Sequence, residues 1–296
     1  MVLGIYLFAG LGNKLFQYAF IKAYSKKHNI PFFVYAIDTN LIHNKDNYKW
    51  LLDHLNIKNY KEIPYIEVLY SNNYKYWFQP DEEYLKYIDY SSHGDIFNTH
   101  LIMGYFQSEE YFENIKDELR DELKEPAFIT PYLDSYIENI LGLNSSKILE
   151  NVAIIHFRLG DYRESKAHFI NLKNYYNKCI EKIKQTIENP IILIMAKDVN
   201  EIQEVYPDLL NNVYCTTYIL PSKLEDEFID IDCFHFYLMS RVKTIVCANS
   251  SFSWWGAWIN PHKEKIVYIP SRWLNGADNF KQFPFIGMKG AKVIEV

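Results

Sequence analysis

Cysteine is scarce in this 296-residue chain: Cys179, Cys215, Cys233 and Cys247 are all it has. No CxxC and no HExxH occurs, so neither a disulfide framework nor a zinc site is indicated, and the thiols are expected to be reduced and buried. Basic charge is not in excess either. Lys and Arg number 31 against 37 Asp and Glu, a net charge of −6. That balance excludes the basic stripe on which non-specific nucleic-acid binding depends, while leaving room for a local pocket that takes an anion.

Long apolar runs are missing as well. No stretch reaches the roughly 18 residues that a membrane-spanning helix needs. The opening "MVLGIYLFAGLGNK" is apolar but has no basic n-region and no small-residue cleavage pattern. The expectation is a cytoplasmic protein without a transmembrane segment, compatible with peripheral membrane association. What the chain does have is aromatic residues (25 Tyr, 19 Phe, 6 Trp) and 49% hydrophobic residues, ample for a packed core.

The first forty residues read as one β-α-β unit. Val2–Phe8 is nearly continuous apolar sequence, as a strand covered on both faces requires. After a glycine loop, Gly10-Leu11-Gly12-Asn13, the residues Leu15, Phe16, Ala19, Phe20, Ala23 and Tyr24 form a stripe at helical spacing, and Pro31–Tyr35 is the next strand. A parallel sheet begins here. Residues 40–145 carry polar, tyrosine-rich stretches that periodicity does not order. "NILGLNSSKILEN" (139–151) sets Gly, Asn and Ser between apolar islands and reads as a boundary between domains 1–148 and 149–296.

The second half alternates. Strands are expected at Val152–Phe157, Ile191–Ala196, Val213–Thr216, Thr244–Ala248 and Lys265–Ile269, with helices at Leu172–Ile187, Asn200–Tyr206, Glu227–Arg241 and Phe252–Ile259. This pattern implies an α/β fold, an open parallel sheet with helices on both faces.

In such sheets ligands bind beyond the carboxyl ends of the strands. Three polar clusters follow three of the apolar strands: His156–Asp161, Lys197-Asp198 and Asn249-Ser250-Ser251-Phe252. They are expected to converge on one rim. Arg158, just past a buried strand, needs an anion, and a phosphate suits its forked, permanently charged head; the alternative is a structural pair with Asp161. "NSSFSWWGAW" offers hydroxyls and a helix amino end to a phosphate, or else an ordinary Ser cap over an aromatic core. "GLGNK" matches neither GxGxxG nor GxxxxGK[ST], so it either lets a ligand approach the backbone or makes a tight turn. "DID" (230–232) is read as helix-opening acids rather than a metal site, and "CFHFYLM" as core.

Four of these stretches together carry a resemblance. "GLGNKLFQYAF" (10–20), "GYFQSEEYF" (104–112), "HFRLGDY" (156–162) and "ANSSFSWWGAW" (248–258) resemble, in order and spacing, the signature blocks of the bacterial α-1,2-fucosyltransferases, glycosyltransferase family 11-like proteins. "YIPSRW" (268–273) resembles the closing block. The resemblance implies a GT-B-type fold, two facing Rossmann-like domains with parallel sheets and a cleft between them. It implies GDP-fucose as donor, a galactose-terminated glycan as acceptor, and no metal or other cofactor. Arg158 would contact the diphosphate, with His156 beside it, and Asn249, Ser250, Ser251 and Phe252 would line the phosphate end. Gly10, Gly12 and Asn13 would close over the sugar-phosphate, and Asp198 matches an acidic position near the nucleotide. Two departures stand out: Leu159 replaces the second arginine of many members, and His235 stands where Asp is common, leaving Asp232 as the nearest acid.

The implied chemistry needs a base for the acceptor hydroxyl. Asp161 comes first and Glu164 second, although Asp161 could equally orient Arg158 or His156; His156 itself reads as a structural strand-end residue. Two rivals remain, a transferase with another sugar or linkage and a non-catalytic nucleotide- or glycan-binding module. Trp50 and Trp77 in the unordered 40–100 stretch are available to stack on an acceptor sugar.

Overall fold

The computed structural model describes residues 3–37, 60–63, 75–79, 87–90, 101–213, 215–224, 230–275 and 287–296. The chain divides into two compact units, and the described chain passes from one to the other between Lys124 and Glu125. Trp50 and most of the 40–100 stretch lie outside the described residues.

The first unit contains β1 (Leu3–Leu7), α1 (Leu11–His28), β2 (Phe32–Ile37), β3 (Tyr60–Ile63), β4 (Tyr76–Phe78) and β5 (Leu101–Met103), followed by a 3-10 segment, Glu109–Ile115, and α2 (Lys116–Glu122). The strands form a parallel sheet in the order β3-β2-β1-β5-β4. β1 is central and buried at every residue, which is why its sequence is apolar without alternation. α1 is flanked by aromatic packing. Phe20 stacks on Phe106 at 3.8 Å, and Trp77 meets Tyr90 edge-on at 4.9 Å. Trp77 is partly buried in this aromatic cluster.

The second unit holds α3 (Thr130–Ser135), β6 (Leu149–His156), α4 (Lys173–Thr186), β7 (Ile191–Met195), α5 (Val199–Val205), β8 (Thr216–Ile219), α6 (Ile231–Arg241), β9 (Val242–Val246), α7 (Ser251–Ile259), β10 (Ile266–Pro270) and β11 (Lys292–Ile294). Its sheet is parallel throughout, ordered β11-β10-β9-β6-β7-β8. Ala153, Ile155 and Phe157 pack with Tyr175, Tyr176 and Ile180 of α4. The intervening Val152 and Ile154 are equally buried, so the sheet is covered on both faces.

Two expected elements shift. The strand expected at Val213–Thr216 lies at Thr216–Ile219, because an edge strand needs no apolar run: β8 is mostly exposed and takes its register from β7, Ile191 facing Thr216. The glycine loop ends earlier than expected. Ala9 makes the turn at φ +62°, Gly10 is extended, and α1 has already begun at Leu11.

Residues 125–148, placed by the sequence in the first domain, belong to the second unit. Buried Ile129, Leu133 and Ile137 and the Tyr136–Phe234 ring contact accompany one polar anchor there. Arg241, at the end of α6, donates from Nε to Glu125 at 2.7 Å, from Nη2 to the same carboxylate, and from Nη1 to Asp134 at 2.5 Å. The side chains of Arg241 and Glu125 are only 15% and 19% exposed, so removing the cation leaves the Glu125 carboxylate without its partner and with little water, while Asp134 is more open. Arg241→Ala is expected to lower unfolding stability by about 2–3 kcal/mol, somewhat less than the loss of a fully buried pair. A urea midpoint within error of wild type would refute this anchor.

Candidate functional site

The site is built where the buried strands stop. Two tyrosines of α4 finish those strand ends. The Tyr176 hydroxyl donates to the His156 carbonyl at 3.0 Å, and that of Tyr175 lies 2.7 Å and 2.9 Å from the carbonyls of Cys247 and Tyr268. Buried carbonyls at a strand terminus need such partners. His156 is the last residue of β6, 7% exposed, with its ring 5.8 Å from that of Phe252. Burial first, then the Arg158 cation and His235, push its imidazole down to about 3. A neutral ring of such low basicity is a poor general base at neutral pH, which agrees with a structural strand-end role.

Arg158 is the first charge beyond the strand. Its Nη2 lies 2.7 Å and 3.0 Å from the two oxygens of Asp161, and its guanidinium sits 4.8 Å from the Tyr162 ring centroid. The Arg158–Asp161 pair, one of the two readings open from sequence, is therefore present. It is an open pair, with side chains 35% and 60% exposed. Asp161 is the second residue of a short 3-10 turn, Gly160–Glu164, and Glu164 stands exposed at its end.

The other two clusters follow β7 and β9, the neighbours of β6, so all three meet at one edge of a parallel sheet. Ser250 is the N-cap of α7 but makes no capping hydrogen bond with its side chain. The amide of Asn249 is committed to scaffolding: Nδ2 donates to the carbonyls of His168 at 2.9 Å and Trp273 at 3.0 Å, tying the segment after the turn to the "YIPSRW" block. Asp198 caps α5, accepting from the Asn200 amide at 2.9 Å. Asp230 likewise caps α6, accepting from the amides of Asp232 and Cys233, so "DID" opens a helix. His235 is buried within α6 and pushed down to about 4 by burial, against the opposing pull of Asp232 and a hydrogen bond to the Pro221 carbonyl. The four thiols are free; Cys215 alone is only half-buried.

In the first unit, Gly10 is the N-cap of α1, with no side chain to bond the first-turn amides, and Gly12 and Asn13 lie in that turn. Asn13 accepts a hydrogen bond from Gln107 at 2.6 Å, so the first two signature stretches meet there. Lys14, next in sequence, is only 3% exposed, and burial brings its amine down to about 8. It stands in "GLGNK" and was assigned no role there. Gln107 and Tyr162 were missed too, although each lies inside a quoted block; their contacts depend on residues far away or on a turn no periodicity shows.

These two parallel α/β units, with polar groups gathered at strand carboxyl ends, define a GT-B-type glycosyltransferase fold. The same fold is seen in a mutant of Arabidopsis thaliana FUT1 in complex with GDP, with a TM-score of 0.54 and 11% identity, covering 90% of this chain and 69% of that one. The chain belongs to glycosyl transferase family 11, whose profile matches residues 2–282. Two Escherichia coli proteins resemble it along nearly their whole length. The O-antigen biosynthesis glycosyltransferase WbnK is 27% identical, over 93% of this chain and 96% of its own. An alpha-1,2-colitosyltransferase is 25% identical, over 90% of each. Among the described residues no helix is long and apolar enough to cross a membrane.

The two buried histidines set an acid limit. Both lie below the unfolded value of roughly 6.5, so the unfolded chain binds the extra protons. Their contribution is complete above about pH 6.5 and is lost as pH falls toward the folded values of about 3 and 4, on the order of 2 kcal/mol per histidine by pH 5. Urea midpoints at pH 7 and pH 5 should differ less in His235→Gln than in wild type; an equal drop would show that His235 does not titrate this way.

Proposed function

We propose that the protein transfers L-fucose from GDP-fucose, with inversion and without a metal, to the 2-hydroxyl of a terminal galactose in an oligosaccharide acceptor. Family membership and the O-antigen relative support sugar transfer onto a glycan. The observation that carries the reading is Arg158, a partly exposed guanidinium at the end of a buried strand, on the same sheet edge as the amino end of α7, where Ser250 makes no side-chain cap.

As the C1–O bond breaks, negative charge grows on the β-phosphate and positive charge on the sugar. Arg158, the hydroxyls of Ser250 and Ser251 and the α7 amides would stabilise the leaving GDP. A donor of this kind contributes about 3 kcal/mol to the barrier, a hundredfold or more in rate. The open Arg158–Asp161 pair is worth no more than about 1 kcal/mol. A diphosphate with two or more charges outcompetes it readily. Exchange of that pair would leave Asp161 free to take the acceptor proton, with Glu164 as the second candidate. His156 and Phe252 would pack against the donor, and Asp198 and Asn249 would hold the surrounding helix and loops. The alpha-1,2-colitosyltransferase relative favours a second reading, the same chemistry with a colitose nucleotide as donor.

Arg158→Ala is expected to weaken GDP binding at least tenfold and abolish transfer; near-normal kinetics would refute the assignment. Asp161→Asn should keep or improve GDP affinity, since the fork is released, while slowing transfer. Unchanged turnover would move the base to Glu164. Product analysis by mass spectrometry with fucose and colitose donors, each with and without excess EDTA, decides the sugar. Full loss of activity in EDTA would overturn metal independence.

A further inference from the structure

The turn that carries Arg158 is held from outside. Leu159 is at φ −111°, ψ −96°, and Gly160 is at φ +35°, a backbone that side-chain-bearing residues avoid, although the space around it is open. Gly160 also begins the 3-10 turn, so its N–H has no carbonyl of a preceding turn to bond. Glu201, on α5, supplies the acceptor: its Oε2 receives the Gly160 N–H at 3.0 Å. Its other oxygen is 3.8 Å from Nη1 of Arg163, which bonds Glu204 at 2.9 Å. Glu201 and Glu204 are three apart on one helix face. Together they grip the turn at its first amide and at its fourth side chain.

We infer that Glu201 is a positioning residue for Arg158, clamping the phosphate-binding turn through the Gly160 amide. The inference rests on the phosphate-binding reading of Arg158 given above. The clamp distinguishes the two arginines of "FRLGDYRE". Arg163 is neutralised by α5 and serves the turn. Among the described residues Arg158 has its ion pair with Asp161 alone, a residue of the same turn, so its fork is aimed by the turn and remains exchangeable. α5 follows β7 directly, and β7 pairs with β6 along the register that ends at His156 and Met195. The rim strand and its neighbour are thereby locked at the point where the ligand would sit.

The test uses the full chain with Glu201→Ala and Glu201→Gln. Glutamine keeps an oxygen to accept from Gly160 and drops the charge toward Arg163. Hydrogen–deuterium exchange across 159–164 reads the clamp in the free protein, and calorimetric titration of GDP reads Arg158. Glu201→Ala is expected to lose protection in that segment and about tenfold in GDP affinity, with the unfolding midpoint nearly kept, and Glu201→Gln to restore both. Unchanged exchange in Glu201→Ala, unchanged GDP affinity despite lost protection, or a glutamine variant as impaired as alanine would each overturn it. If Glu201→Ala does not fold, Glu201→Asp, which withdraws the carboxylate while keeping its charge, must show the same two losses. Pyrophosphate titrated in parallel separates the two readings. A wild type that ignores GDP, with pyrophosphate binding that weakens in Glu201→Ala, refutes the donor assignment and keeps the clamp. A wild type that binds neither ends both.

Discussion

A strand buried on both faces can carry no charge along its length, so the first charge must stand where the sheet ends. β6 obeys this rule over its buried stretch, Val152–His156, with an exposed Glu150 only at its start, and Arg158 is the first charge beyond it. The guanidinium has packed protein on one side and water on the other, where its field is neither lost to solvent nor cancelled by deep burial. Everything proposed for the site depends on that placement. The polar clusters after β7 and β9 gain their relevance from it, because parallel neighbours end on the same edge.

Three arginines of the molecule differ in the partners they have. Arg241 is locked between Glu125 and Asp134 with little water around it, and it ties residues 125–148 to the end of α6. Arg163 is spent on two glutamates of α5. Among the described residues Arg158 has one ion-pair partner, Asp161, and lies over the Tyr162 ring, both from its own turn. A single open pair of that kind contributes little, so a phosphate can replace it at little cost. Around it, the neutral His156, the scaffolding amide of Asn249 and the tyrosines of α4 add shape without adding competing charge.

Much of this was legible beforehand, for a reason that differs between elements. β1, β7 and the buried stretches of β6 and β9 are apolar because both faces are covered, and such runs are visible in one dimension. The rim followed from them, since a polar cluster after each run can only lie at a strand end. β8 was misplaced because an edge strand is selected by its neighbour's hydrogen bonds, which leave no mark in composition. "NILGLNSSKILEN" looked like a linker because its glycine and serines are real turn formers. Its attachment to α6 depends on Arg241, about a hundred residues later.

The amino-acid sequence by itself determined the class of fold and the edge on which charged groups gather, because burial periodicity and local turn chemistry are written residue by residue; the family showed through the resemblance of four stretches to its signature blocks. Only the tertiary structure decided the partners. Asp161 holds Arg158, Glu201 holds Gly160, Asn249 braces two loops, Gln107 meets Asn13, and burial rather than residue type neutralises His156. Most of these pairings join residues distant in the chain, and what a side chain's charge is worth depends on how much water folding leaves around it.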